Sequence, residues 1–229
     1  MPALLMLKFV LNNTMIKGVL FDLDGTFADT APDLAAALNQ VLSEEGKAPL
    51  TFENIRPVVS HGGAALIRLG FNISDQDTEF KRIKKRFLSI YLANISVLTT
   101  VFDGIDELLD VLENKDIAWG IVTNKPSWLT DPLMEQLGFT TRAAAIVSGD
   151  TTNESKPHPE PLFHACREMN CRPEECLYVG DAERDIIAGN RAGMLTLAAL
   201  FGYIEPNDRP ENWGADAMIK HPLDIAAFL

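Results

Sequence analysis

Short apolar runs bounded by turn residues recur along the chain at Gly18 to Phe21, Ala118 to Val122, Ala145 to Val147, Leu177 to Val179 and Thr196 to Ala199. Runs this short and this continuously apolar predict strands buried on both faces, as in parallel sheets. Between them apolar residues return every three or four positions: Ile105, Leu108, Leu109 and Leu112; Leu129, Leu133 and Leu137; Leu162, Ala165, Cys166 and Met169; Ile186, Ile187 and Asn190 close the series. That spacing gathers side chains on one face of a helix. Strands alternating with amphipathic helices predict an α/β fold, a doubly wound parallel sheet of the Rossmann-like kind.

The alternation stops between about Thr30 and Leu98, where helical patterns follow one another without a convincing strand. Thr30-Ala31-Pro32-Asp33 predicts a capped helix start, and Leu34, Leu38, Val41 and Leu42 follow at helical spacing. The predicted organisation is a discontinuous core, residues 1–30 and 99–229, with a small helical domain, 31–98, inserted after the first strand. Residues 1–15 are expected to be an N-terminal extension. Met1 to Leu11 is mostly apolar but lacks the leading basic region and the trailing small-residue cleavage site of a signal peptide. Met15, just before the first strand, offers an alternative start.

Composition narrows the class. With 229 residues, 47% apolar and 23% charged, the chain has the make-up of a globular protein, which excludes disorder and fibres. Its longest uncharged run, Ala192 to Ile204, is shorter than the ~20 residues of a spanning helix, so no membrane partner is expected. The balance of 20 Lys and Arg against 32 Asp and Glu, a formal charge of −12, repels phosphate backbones and argues against nucleic acid. The basic run Lys81 to Arg86 reads as a solvated helix face, with Ile83, Phe87 and Ile90 as its apolar stripe. Cys166, Cys171 and Cys176 are odd in number and form no C-x-x-C, which predicts free thiols and a reducing, cytoplasmic setting. Their five-residue spacing does not hold side chains on one helical face, which disfavours a metal cluster of these thiols with His164.

The chemistry is concentrated at strand ends. Gly18 to Phe21 runs into Asp22-Leu23-Asp24-Gly25-Thr26. Residues two apart on a strand share a face, so both carboxylates are expected at the carboxyl edge of the sheet, where open α/β folds place their sites. Two carboxylates so close raise each other's pKa unless a cation compensates. Gly25 permits the tight turn that follows. The second acidic cluster, Gly180-Asp181-Ala182-Glu183-Arg184-Asp185, follows Leu177 to Val179, with Asp181 at the expected helix N-cap and Asp185 one turn on. Four acidic side chains converging would suit a hard cation, Mg2+ rather than zinc. Thr123 and Asn124 add a hydroxyl and backbone amides, and Lys156, extended before Pro157, adds an ammonium. A cation site, a nucleophilic carboxylate, an amide and hydroxyl cradle and an ammonium together are what phosphoryl transfer requires.

This set resembles the haloacid dehalogenase superfamily of phosphatases, from about Ile16 to the C-terminus. Its first motif, D-x-D-G-T, stands here as Asp22-Leu23-Asp24-Gly25-Thr26. The resemblance implies that Asp22 is the nucleophile that becomes an aspartyl-phosphate and that Asp24 is general acid and then base. It implies that Thr123, with Asn124, and Lys156 hold the transferring phosphoryl group. Asp181 would bind Mg2+ directly and Asp185 through water or by orientation, with Asp22 and the backbone carbonyl of Asp24 completing the ligands. The insert, 31–98, would be a cap that closes over the site and excludes water. Ser60-His61-Gly62-Gly63-Ala64 is its first candidate for substrate contact: paired glycines let backbone amides approach a ligand, and His61, with Arg68 behind it, is a candidate side chain.

Phe21 to Thr26, Asp29 to Asp33, Val122 to Pro126 and Ser155 to Pro159 look like the phosphoglycolate phosphatase group. Gly202-Tyr203-Ile204 and Asn212 to Asp216 are similar to the branch that acts on N-acetylmuramic acid 6-phosphate, so the partner expected is a small phosphorylated metabolite, either that sugar phosphate or 2-phosphoglycolate. Phe27 departs from the usual leucine, a change expected to act on packing. The alternatives are a sugar-phosphate mutase with the same aspartates, and a non-catalytic Mg2+-binding protein. A dehalogenase needs neither Asp24 nor a metal set, and a signalling receiver lacks the D-x-D-G-T turn and the cap. The chain is compatible with a monomer or a homodimer.

Overall fold

Strand β1 (Gly18–Phe21) is buried along its whole length and pairs in parallel with two neighbours. Counting strands in chain order, β4 (Ala118–Val122) lies on one side and β6 (Cys176–Gly180) on the other. The computed structural model describes residues 15–229; the extension expected over 1–15 lies, but for Met15, outside the described residues. Adding β5 (Ala145–Val147), β7 (Leu195–Ala199) and β8 (Ala217–Ile219) completes a six-stranded sheet of order β5-β4-β1-β6-β7-β8, parallel throughout. Winding therefore reverses at β1, the place where such sheets open a crevice at their carboxyl edge. Phe21 stands opposite both Ile121 and Val179, so β1, β4 and β6 end at nearly one level.

The helices that cover this sheet form where the 3.6-residue pattern predicts them: α5 (Ile105–Asn114), α6 (Ser127–Gln136), α7 (Glu160–Glu168) and α8 (Glu183–Ala192). Phe27 is fully buried. It stacks on Trp119, with ring centroids 5.5 Å apart, and meets Phe139 and Phe21 edge-on at 5.1 and 5.8 Å. No helix among the described residues is long and apolar enough to cross a membrane.

Between Ala31 and Ala93 the described chain is helical without a strand: α1 (Ala31–Glu44), α2 (Phe52–Ile55), a 3-10 turn (Arg56–His61), α3 (Gly62–Phe71) and α4 (Phe80–Ala93). Leu34, Leu38, Val41 and Leu42 of α1 are buried, as are Ile83, Phe87 and Ile90 of α4, and the two helices pack together. The basic run on α4 is paired on the surface: Arg82 reaches Glu45 at 2.6 Å and Arg86 reaches Glu44 at 2.6 Å. Both acids end α1, where a carboxylate opposes the helix dipole, and the guanidinium groups offset that. The chain enters and leaves this segment through a two-stranded antiparallel ribbon, β2 (Ala28–Asp29) with β3 (Thr100–Val101). Buried Asp33 ties the two crossings, accepting from the amides of Leu98 and Thr99 and from the Thr99 hydroxyl.

The expectation about the cysteines needs correction. Their spacing separates them along a single helix, but they do not share one. Cys166 is on α7, Cys171 in the turn after it and Cys176 at the start of β6, and the reversal of the chain brings all three Sγ atoms within 4.8 Å of one another.

Candidate active site

Asp22 follows β1 directly, its backbone amide still bonded to the Val179 carbonyl at 2.9 Å, so the sheet itself sets its position. Its carboxylate is buried. Oδ1 accepts from the Leu23 amide at 2.7 Å and meets the Lys156 ammonium at 2.9 Å. Lys156 is wholly enclosed and also touches Asp185 Oδ1, the Val122 carbonyl and the Tyr178 hydroxyl, each at 2.8 Å. Its backbone is clamped by Asn124: Lys156 N donates to Asn124 Oδ1 at 3.0 Å, and Asn124 Nδ2 donates to the Lys156 carbonyl at 2.9 Å.

Asp22, Asp181 and Asp185 each present an oxygen within 4.8 Å of the others, and all three are buried. Four converging carboxylates were expected, and three converge. Gly25, at φ +89°, turns the chain straight after the first pair. The Asp24 carboxyl is drawn instead to Thr30 Oγ1 at 2.6 Å and Lys125 Nζ at 2.8 Å. A Cβ on Gly25 would overlap the Asp181 carboxylate, so the close approach of β1 to the second acidic cluster depends on this glycine.

One expected cap is replaced, and another lacks its side-chain bond. Ala182, not Asp181, is the N-cap of α8; Asp185 sits in its first turn and accepts from the Ala182 amide at 3.1 Å. That leaves Asp181 to accept from the Ser60 hydroxyl at 2.7 Å and the Tyr203 amide at 2.8 Å. Thr30 is the N-cap of α1, as expected, and its carbonyl accepts from the Leu34 amide at 3.2 Å; its side chain makes no capping bond, and its hydroxyl donates to Asp24 instead.

Burial first, and then the charges of Asp22 and Asp185, push the Asp181 carboxyl up to about 7. Burial raises Asp185 too, with Asp22 adding to it and Lys156 opposing. Arg184 stands 3.8 Å from Asp22 Oδ2. The inner site thus holds three carboxylates against the cations Lys156 and Arg184, besides the neutralised Asp24–Lys125 pair. A buried excess of negative charge on oxygen donors alone, with no sulfur or imidazole in the set, fits a hard divalent cation such as Mg2+.

Above these groups lies a cavity of about 430 Å³, floored by Asp22, Asp24, Thr123 and Arg184 and walled by α3 and α4. His61, Gly62 and Gly63 line it, whereas Arg68 points away into a surface pair with Asp75 at 2.6 Å. His61 Nε2 lies 3.4 Å from Glu205 Oε1. Thr123 Oγ1 accepts from the Lys125 amide at 3.1 Å. The helix expected near Thr123 starts only at Ser127, after Pro126, so the amides at Thr123 and Asn124 belong to a loop.

Sequence reasoning passed over several groups here. Lys125 bridges Asp24 and the Tyr91 hydroxyl, the latter at 2.9 Å, and so links the strand ends to α4. Although burial works against its charge, Asp24 and Tyr91 raise the Lys125 pKa. Tyr91 is pushed up to about 12, mainly by burial. Arg56 donates to the carbonyls of Gly202 and Phe201 at 3.0 and 3.2 Å and lies over the Tyr203 ring, a second tie between the helical segment and the sheet. Lys84 lines the cavity wall.

Residues 19–199 match the haloacid dehalogenase-like hydrolase family. The chain is similar to the N-acetylmuramic acid 6-phosphate phosphatase of Pseudomonas aeruginosa, 40% identical, over 93% of this chain and 95% of that protein. It is 42% identical to the phosphoglycolate phosphatase of Xanthomonas campestris pv. campestris strain 8004, over 91% of this chain and 94% of the relative. Among solved structures, that of a predicted phosphoglycolate phosphatase from Haemophilus somnus 129pt superposes with a TM-score of 0.83 at 25% identity, over 93% and 97% of the two chains.

Proposed function

Because the chain belongs to the haloacid dehalogenase-like hydrolases and is a phosphatase, we propose that it is a Mg2+-dependent phosphomonoesterase that works through an aspartyl-phosphate on Asp22. The observation that carries this reading is the Lys156 ammonium between the Asp22 and Asp185 carboxylates, with Asp181 beside them, directly behind the face that Asp22 presents to the cavity.

Asp22, Asp181 and Asp185, with the Asp24 carbonyl, would hold Mg2+. Bound there, the ion supplies positive charge to the phosphoryl oxygens. The Asp22 carboxylate attacks phosphorus, the ester oxygen leaves with a proton from Asp24, and an acyl phosphate forms. Water then attacks that phosphorus, Asp24 takes the water's proton, and inorganic phosphate departs as the Asp22 carboxylate is restored. Splitting one displacement into two is the gain of covalent catalysis. Thr30 and Lys125 both bond Asp24 Oδ1, which fixes the carboxyl that moves the proton. Lys156, the Thr123 hydroxyl and Arg184 stabilise charge on the transferring group, and Asn124 acts by fixing the Lys156 backbone. Residues 31–98 are the cap, and its Ser60, Arg56 and Tyr91 contacts hold it against the core.

For substrate we favour N-acetylmuramic acid 6-phosphate over 2-phosphoglycolate. The cavity of about 430 Å³ falls within the ~300–1,000 Å³ of pockets that enclose larger ligands, and a two-carbon acid leaves most of it unfilled. His61, Gly62, Gly63 and Lys84 would meet the sugar. A cytoplasmic setting fits the free thiols. The test is phosphate release from both compounds with Mg2+ and with EDTA. Activity on the sugar phosphate that EDTA abolishes is expected; metal-independent release, or a preference for phosphoglycolate, overturns the corresponding part of the proposal.

A further inference from the structure

A second cluster of metal-ligating side chains lies at the opposite edge of the sheet. Cys171 Sγ is 2.9 Å from Cys176 Sγ, and Cys166 Sγ is 3.6 Å from Cys176 Sγ. Cys166 and Cys176 are buried, and Cys171 is half-buried at the turn. The cluster packs against Gly18, the first residue of β1, whereas Asp22 follows the last, about 13 Å further on at ~3.3 Å per strand residue. A Cβ on Gly18 would stand 3.1 Å from Cys176 Sγ, 3.3 Å from Cys171 Sγ and 2.9 Å from Met169 Cε, so the thioether arm borders the same space.

From this juxtaposition we infer a binding site for one thiophilic monovalent cation, Cu(I), held by Cys166, Cys171 and Cys176. Sulfurs ~2.3 Å from a common ion in a trigonal arrangement stand about 4 Å apart. Cys166 and Cys176 are already near that separation at 3.6 Å. Cys171 has to withdraw by about 1 Å from Cys176, a movement its place in an exposed turn permits, whereas the other two are anchored on α7 and β6.

The donor set selects the metal. Soft sulfur ligands favour Cu(I), zinc and iron–sulfur clusters, but structural zinc and iron–sulfur centres take four strong ligands. His164, the nearest imidazole in sequence, is turned to Glu168 on the surface at 3.2 Å. Three thiols with an adjoining thioether meet the demand of three-coordinate Cu(I). Binding replaces thiol protons, released to solvent, and no electron is transferred because copper is supplied reduced.

The test uses the full, reduced chain under anaerobic conditions. Titration against the coloured Cu(I)–bicinchoninate complex should withdraw one equivalent of copper per chain, and X-ray absorption should report three sulfur neighbours. Cys171→Ser and Cys166→Ser should each weaken binding at least tenfold, while Asp22→Asn binds as wild type. Thermal unfolding of metal-free Cys171→Ser checks that the variant is folded; if it is not, Cys171→Ala is read instead. No withdrawal of copper, a two-sulfur or nitrogen shell, or equal affinity in the folded cysteine variants overturns the inference.

Discussion

Asp181 reports the electrostatic cost built into the acidic triad, and pH exposes it. Burial and the neighbouring Asp22 and Asp185 raise its carboxyl from 3.8 to about 7. Between those values the folded protein holds a proton that the unfolded chain has released, so stability falls as pH rises. The contribution is fully present below about pH 4 and gone above about pH 7. From pH 5 to pH 8 the part still to be lost is on the order of 3 kcal/mol, at 1.36 kcal/mol per pH unit up to the folded value. Glu44 and Glu175, lowered to about 2 by their Arg86 and Lys17 partners, titrate below this window. The lowered Cys171 thiol contributes a slope of opposite sign, so the comparison is wild type against Asp181→Asn, in which the thiol term cancels. The assay is urea unfolding at pH 5 and pH 8, in EDTA and in excess Mg2+. In EDTA, wild type should lose about 2–3 kcal/mol more than Asp181→Asn across the interval. Mg2+ at 100 times its Kd at pH 8 should stabilise wild type by about 2.7 kcal/mol at that pH, and by less at pH 5. Equal pH slopes for the two proteins, or equal stabilisation by Mg2+ at both pH values, would refute the reasoning.

Lys156→Met leaves Asp22 and Asp185 facing each other without their enclosed cation, and should cost about 3–5 kcal/mol in urea unfolding at pH 8, less at pH 5. Lys125→Met frees the Asp24 carboxyl and should lower kcat by at least ~10-fold, as expected for a displaced general acid. Tyr91→Phe, which removes one acceptor of the same buried ammonium, should cost about 1–3 kcal/mol of stability with a smaller fall in kcat. Phe27→Ala opens the cluster with Trp119 and Phe139 and should cost about 3–5 kcal/mol by thermal or urea unfolding, leaving the KM of the folded fraction unchanged.

How much of this was legible in the sequence depended on the range of the interaction. β1, β4 and β6 are apolar at nearly every position because both faces are covered, and such runs stand out. β8 does not: Ala217 and Met218 are at the exposed sheet edge. The two-residue strands β2 and β3 carry no period at all. Asp22, Asp181 and Asp185 were readable as a cluster because Asp22 and Asp181 each follow a strand end, Asp185 lies one helical turn beyond Asp181, and like charges so placed demand a cation. The Asp24 side chain does not join that cluster because the two-residue period of a strand ends at Phe21, and its carboxyl bonds Thr30 and Lys125 instead. Lys125 showed no local pattern; its partner Asp24 is 101 residues away. Tyr91 reads as one more apolar residue on the buried face of α4, and the thiols converge only because α7, its following turn and β6 fold back together.

The most direct test of the central claim is a rapid-quench reaction of the Mg2+-loaded enzyme with N-acetylmuramic acid 6-phosphate, followed by borohydride reduction and peptide mapping. Borohydride converts an aspartyl-phosphate to homoserine. The account predicts homoserine at position 22 in wild type and its absence in Asp22→Asn. Turnover with no reduction at Asp22, or an Asp22→Asn variant that still releases phosphate at a substantial rate, would contradict it.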